Sequence, residues 1–232
     1  MVGSFWTRLF DLIAPRCCVA CDNRLAESEQ HVCLNCLLAL PRTHYEEQPY
    51  DNTMAQVFWG HFRVEKVAAW FFYQPSSPFS GMIHELKYNR QREIGHFIGR
   101  VAAEELSRKH FFDDIDLLIP IPLTKRRQRQ RGYNQSLEIA RGISSVTGIP
   151  VAEKVVARTR FEESQTHKTA KERRENVAGV FELVDAEAIS NRHVMVIDDV
   201  ITTGSTMISC CQELQKDESV KISIFSIGFT RS

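Results

Sequence analysis

Apolar residues recur along this chain in three rhythms. Ile94, Phe97, Ile98, Val101, Ala102 and Leu106 are spaced by three and four, with Glu105 inside the stripe, which predicts a helix over residues 93–109. Residues 79–88, 135–146 and 205–216 also read as helices, the second with Asn134 at its N-cap. Apolar runs at 117–122 and 193–197 predict buried strands, 220–229 reads as the last strand, and 155–159 predicts a further strand. Residues 57–73 mix aromatic and β-branched positions in loose alternation, predicting a strand pair with a turn near 63–66. The stretch 168–176 is charged and helix-prone, and Phe5, Leu9, Leu12 and Ile13 share one face of a short amino-terminal helix. Strand and helix alternate from about residue 110 onward with short connections. That order implies an α/β fold, a parallel sheet flanked by helices. The pattern changes near residue 45. A small module (1–45) thus precedes a sheet domain (46–232), with the polar, turn-rich segment 41–52 as linker.

Composition changes this picture little. Among 232 residues, 29 basic side chains face 29 acidic ones, so any nucleic-acid affinity must come from a local patch. No apolar run approaches the ~18 residues that cross a bilayer, and Arg8 and Asp11 interrupt the amino-terminal apolar stretch. These features predict a cytoplasmic protein with no stable membrane insertion.

Five of the seven cysteines lie between positions 17 and 36. Cys18-x-x-Cys21 and Cys33-x-x-Cys36 form two knuckles, and two such turns can surround one zinc ion with four sulfurs. A four-cysteine set leaves no open coordination position, so the expected Zn2+ is structural. Cys17 offers an alternative first ligand to Cys18. Disulfides would need an oxidising compartment that nothing else in the chain suggests, and a redox pair would need only one CxxC, set at a βα junction. Cys210 and Cys211 fall inside an apolar helical pattern and read as small core residues.

The chemistry concentrates after the strand at 193–197. Asp198 and Asp199 follow it, and Thr202, Thr203, Gly204, Ser205 and Thr206 then open a helix. In open parallel sheets ligands bind beyond the carboxyl ends of the strands. There a glycine turn, successive backbone N–H groups and hydroxyls complement a phosphate. Paired carboxylates accept hydrogen bonds from vicinal ribose hydroxyls or hold the waters of Mg2+. Neither a Walker lysine loop nor a dinucleotide glycine fingerprint is present. The ligand this motif suits is a phosphorylated ribose. A basic loop, Lys125, Arg126, Arg127, Arg129 and Arg131, leaves another strand end and suits pyrophosphate. The polar stretch 158–176 reads as a lid over a water-sensitive reaction, or as an ordinary exposed loop.

Together these segments resemble a known family. VMVIDDVITTGST, Val194 to Thr206, resembles the phosphoribosyl pyrophosphate motif of type I phosphoribosyltransferases. The two CxxC knuckles, the segment from Ile83 to Tyr88, Pro120-Ile121-Pro122 with Arg131-Gly132-Tyr133-Asn134-Gln135, and the stretch Arg158…Gln165-Thr166…Arg173…Asn176 are together similar to the ComF (ComFC/GntX-like) family. The doubled Cys17-Cys18 departs from that pattern. The resemblance implies a type I phosphoribosyltransferase-like parallel sheet with a small N-terminal four-cysteine zinc module. It implies that Asp198 and Asp199 meet the ribose, Thr202 to Thr206 the 5′-phosphate, and Lys125, Arg131 and their neighbours the pyrophosphate. It further implies, for some members, partners in DNA uptake, with single-stranded DNA as a second ligand. Two functions stand at this point: an Mg2+-dependent phosphoribosyltransferase of unknown acceptor, and a non-catalytic module that senses a nucleotide-related ligand or binds single strands. Pyrophosphate release on adding an acceptor separates them.

Overall fold

The computed structural model describes residues 15–88, 91–159 and 180–231. The expected helices over 5–13 and 168–176, and most of the expected lid, including Gln165, Thr166, Arg173 and Asn176, lie outside the described residues.

In chain order the elements are α1 (Leu34–Ala39), β1 (Val67–Phe72), α2 (Ser80–Tyr88), α3 (Arg92–Ser107), β2 (Leu117–Pro120), α4 (Lys125–Arg131), α5 (Gln135–Thr147), β3 (Val156–Arg158), β4 (Phe181–Leu183), β5 (His193–Ile201), α6 (Ser205–Leu214) and β6 (Lys221–Phe229). Four strands form the central sheet in the order β1-β6-β5-β2, and all three pairings are parallel. The apolar runs made this layer because β5 and β6 are buried along nearly their whole length. Helices α3 and α5 pack closely, since neither Gly99 nor Gly142 could carry a Cβ. An added carbon would stand 2.2 Å from the Ile139 carbonyl at one site and 2.2 Å from the His96 carbonyl at the other. That contact fixes the amino end of α5 beside the sheet edge, where the site forms. Among the described residues, no helix is long and apolar enough to cross a membrane.

Four expectations are corrected. The strand pair over 57–73 is one strand. A short 3-10 turn, Ala55–Val57, leads into its first half, which is made of turns that Gly60 permits at φ +79. Asn52 sets this turn, because its side-chain oxygen accepts from Met54 N and Ala55 N. The linker segment 41–52 is packed along the edge of β1. Phe72 N donates to the Pro41 carbonyl, Thr43 N to the Trp70 carbonyl, and Asn52 Nδ2 to the Val67 carbonyl. Polar residues there supply partners for an otherwise open edge strand. The expected strand at 155–159 does not join the parallel sheet. It pairs antiparallel with β4, an element its three-residue length hid from periodicity. Finally, the basic loop is the helix α4. The Thr124 hydroxyl accepts from Arg127 N at its start, and Gly132 closes it at φ +80.

Candidate functional site

Strand β5 outruns its neighbour. Its last partner on β2 is Ile197 opposite Pro120, whereas its pairing with β6 continues to Ile201 opposite Phe229. Asp198 and Asp199 therefore belong to the strand itself, at the point where β2 has stopped and one side of β5 is open. Here they line a cavity of about 220 Å³. Asp198 Oδ1 accepts from Ser136 Oγ at 3.0 Å and from Asp199 N at 2.8 Å. Asp199 Oδ1 accepts from Val200 N at 2.7 Å, and its Oδ2 faces Lys87 Nζ at 3.3 Å. That Oδ2 is buried and makes no hydrogen bond among the described residues.

Two carboxylates so close cannot both ionise freely. Burial, and after it the charge of Asp199, push the Asp198 carboxyl up to about 7, against hydrogen bonds from Asp199 N and Ser136 and the charge of Lys87. The folded chain then holds this proton more tightly than the unfolded chain, so stability falls as pH rises from about 4 to about 7. Asp198→Asn is expected to stabilise the protein above that window by about 1–3 kcal/mol. It should give no gain below pH 4. Thermal melts of both proteins from pH 4 to 8 check this, and a pH-independent difference would count against it.

The loop after β5 forms the phosphate-sized part of the site. Thr202 to Thr206 and Asp198 line a small recess of about 50 Å³ adjoining the larger cavity. Gly204 takes φ +74, and a Cβ there would stand 2.6 Å from Val57 Cγ1. The 3-10 turn below thus presses the loop into place, with fully buried Phe58 beside it. The N-cap of α6 is Gly204, and no side chain among the described residues caps the helix there, which leaves its first N–H groups open to an anion. Thr203 Oγ1 and Ser205 Oγ are 3.0 Å apart.

Cations close the far side. Arg127 and Arg131 reach the cavity from α4, while Lys125, on the first turn of that helix, lies outside its lining. Arg158 lines it from β3, stacked on Phe181 at 5.1 Å, with a buried Nε that has no hydrogen-bond partner among the described residues. Lys87, Ser136 and Arg158 carry roles that sequence reasoning did not assign. Lys87 and Arg158 stood inside segments already singled out by resemblance, but only the folded contacts reveal what they touch.

The amino-terminal thiols meet independently of this site. Cys18, Cys21, Cys33 and Cys36 bring their sulfurs within 4.8 Å of one another. Sulfurs bound to zinc at ~2.3 Å stand roughly 3.8 Å apart in a tetrahedron, and those of Cys21 and Cys33 are 3.7 Å apart. The set can hold a metal such as zinc. Cys17 is exposed, its Sγ 3.5 Å from the Pro15 carbonyl, so the doubled cysteine resolves in favour of Cys18. Burial pushes the Cys18 thiol up, but backbone N–H groups led by Cys33 draw it down to about 7. Burial and the neighbouring sulfurs push Cys36 up. One thiolate is thus favoured and the next opposed, a repulsion that a central dication removes. All seven cysteines are free thiols, and Cys210 and Cys211 are buried in α6.

No protein-family model matches the chain. It is 29% identical over 213 residues to DNA utilization protein YhgH of Escherichia coli O157:H7, covering 90% of this chain and 88% of that protein. It is 29% identical over 215 residues to competence protein F of Haemophilus influenzae, covering 91% and 83%. Competence protein ComFC of Bacillus subtilis matches at 28% over 120 residues, covering 51% of this chain and 45% of that one. Among solved structures it is similar to the allosteric regulatory enzyme of purine biosynthesis, at a TM-score of 0.42 and 18% identity over 57% of this chain. It is also similar to glutamine phosphoribosylpyrophosphate amidotransferase of B. subtilis, at 0.41 and 18% over 66%. The chain spans 25% and 29% of the lengths of those two proteins.

Proposed function

We propose that this chain, a ComF-family homologue of competence protein F and DNA utilization protein YhgH, binds phosphoribosyl pyrophosphate with Mg2+ and transfers its phosphoribosyl group to an acceptor. One observation carries the reading: two adjoining cavities that share Asp198, Thr202 and Thr206 bring together the acidic pair at the open end of β5, the start of α6 and three guanidinium groups.

Each part has its share of the ligand. The N–H groups and hydroxyls of 202–206 take the 5′-phosphate. Asp198 and Asp199 accept the ribose hydroxyls and Mg2+-bound waters, and the unbonded Oδ2 of Asp199 fits that demand. Mg2+ when bound neutralises charge on the pyrophosphate as it leaves. Arg127, Arg131 and Arg158 surround that leaving group. In the reaction the bond from the anomeric carbon to the pyrophosphate oxygen breaks, and the acceptor's lone pair forms the new bond at the same carbon. Positive charge grows on the ribose while negative charge grows on the pyrophosphate, so the acidic pair and the arginines each oppose the charge that develops beside them. Lys87 pairs with Asp199 at 3.3 Å and offsets part of the negative charge gathered at the acidic pair.

A second reading, a module that handles single-stranded DNA without turnover, is favoured by the exposed Lys125, Arg126 and Arg129 on α4 and by the names of the relatives. We place either activity in the cytoplasm, where the thiols stay reduced. Titration with phosphoribosyl pyrophosphate in the presence and absence of Mg2+, then a pyrophosphate-release screen over acceptors, decides. Release with any acceptor supports transfer. Binding without release across the screen supports the module, and no binding overturns both the donor and its site.

A further inference from the structure

A second cavity, about 610 Å³, opens between the cysteine module and the helices α3 and α5. Its guanidinium and imidazole lining comes from two parts of the chain: Arg16 and His31 from the module, and Arg92, His96 and Arg100 along α3. Phe97 lies among them, met edge-on by the His31 ring at 5.4 Å and faced by the Arg100 guanidinium at 5.5 Å. We propose that this cavity binds a mononucleotide, with its phosphate on the α3 arginines and its base against the His31–Phe97 pair.

Size, charge and shape agree on that class. Small-molecule pockets run from about 300 to 1,000 Å³. Three guanidinium groups face two carboxylates here, Glu93 and Glu138, and Glu138 already carries Arg141 at 3.0 Å. Arg92 donates to the Gly132 carbonyl at 3.2 Å and Arg100 to Glu104 at 2.6 Å. A guanidinium offers five donors, so each fork retains some for a phosphate. Arg92, Glu93 and His96 occupy the first turns of α3, a sixteen-residue helix whose N-cap, Gln91, makes no side-chain cap bond. The positive helix end adds to the attraction for an anion. The part-exposed His31 imidazole, backed by the buried Phe97 ring, presents a flat surface to a base, and the carboxylate of Glu93 can accept from an amino group on it.

Arg92 also links this cavity to the other one. It holds the carbonyl of Gly132, the residue that closes α4, and α4 supplies Arg127 and Arg131 to the phosphoribosyl cavity. A phosphate that draws Arg92 away frees that carbonyl. Occupancy should then change affinity for phosphoribosyl pyrophosphate, and by linkage the reverse. Only this coupling rests on the phosphoribosyl reading; occupancy itself does not.

The test is isothermal titration of the full chain with the four common ribonucleoside 5′-monophosphates. At least one is expected to bind saturably with Kd below about 1 mM. Arg100→Gln and His96→Ala should each weaken it by about tenfold or more, while Asp198→Asn with Asp199→Asn leaves it unchanged. Arg100→Gln loses a part-exposed pair with Glu104 and the guanidinium contact on Phe97, neither of which holds the core together, so melts should show an intact fold. Three results overturn the proposal: no binding by any of the four, binding only by single-stranded oligonucleotides, or binding that the double aspartate variant abolishes and Arg100→Gln spares. The last would place the nucleotide in the phosphoribosyl cavity. Failure of the phosphoribosyl pyrophosphate titration would leave all of these outcomes as they stand, so the two readings fall separately.

Discussion

Purified protein is expected to carry one zinc ion per chain, and Cys18→Ser or Cys36→Ser to lose it, whereas Cys17→Ser keeps it. The geometry makes the contrast sharp. Cys18 is buried with its sulfur accepting from Cys33 N at 3.3 Å, while Cys17 is exposed and turned toward Pro15. Structural zinc in isolated fingers is worth about 10–16 kcal/mol in apparent binding free energy, so losing it should cost this module several kcal/mol. The sheet should survive, because its strands pair with one another and none of them depends on the cluster. The module does share the core through Cys18, Leu25 and Val32, so the unfolding midpoint of the whole chain should also drop. Metal analysis and limited proteolysis of the four proteins check this. Equal zinc content in wild type and Cys36→Ser, or thiols found paired in disulfides, would refute the tetrathiolate site.

Magnesium-dependent binding of phosphoribosyl pyrophosphate is expected to weaken by about 100-fold or more when Asp198 and Asp199 both become Asn. Charge-assisted hydrogen bonds are roughly twice as strong as neutral ones, and two are lost together with the electrostatic hold on Mg2+ waters. The double variant should keep its fold, since an amide oxygen can still accept from Ser136, Asp199 N and Val200 N. Arg158→Gln should cost about tenfold by removing one guanidinium from the leaving group. Its effect should persist without Mg2+, while that of the aspartates should shrink, which separates anion binding from metal binding. Unchanged affinity in the double variant would put the ligand elsewhere in the molecule.

Much of the candidate site was legible because its chemistry is local. The CxxC spacing brings thiols together through turns a few residues long. The run from Val194 to Thr206 places strand, carboxylates, glycine and hydroxyls within a single βα connection. Apolar periodicity likewise located α2, α3, α5, α6 and the three longer apolar runs, since burial on one face or both leaves its mark on neighbouring positions. The basic helix α4 escaped because it buries nothing. A helix with no apolar face has no periodicity to read, and only its caps, Thr124 and Gly132, hold the signal. β3 was legible as a strand but not its antiparallel partner, and β4 escaped because a three-residue strand is shorter than any usable period.

By itself, then, the sequence determined the alternation of elements, the four-cysteine cluster short of the choice at Cys17 and Cys18, and the acidic pair followed by a hydroxyl-rich glycine loop. Tertiary structure decided everything that depends on residues distant in the chain. It set β5 longer than β2, which opened one side of the acidic pair. It laid Lys87 beside Asp199 and Ser136 beside Asp198, and pressed Val57 against Gly204. It also brought Arg158 to the cavity and wrapped residues 41–52 along the edge of β1. The physical reason is the same in each case. Local spacing encodes which backbone a segment prefers and which groups it carries, but a charge pair or a close contact between segments exists only after the core has packed and fixed the distance between them.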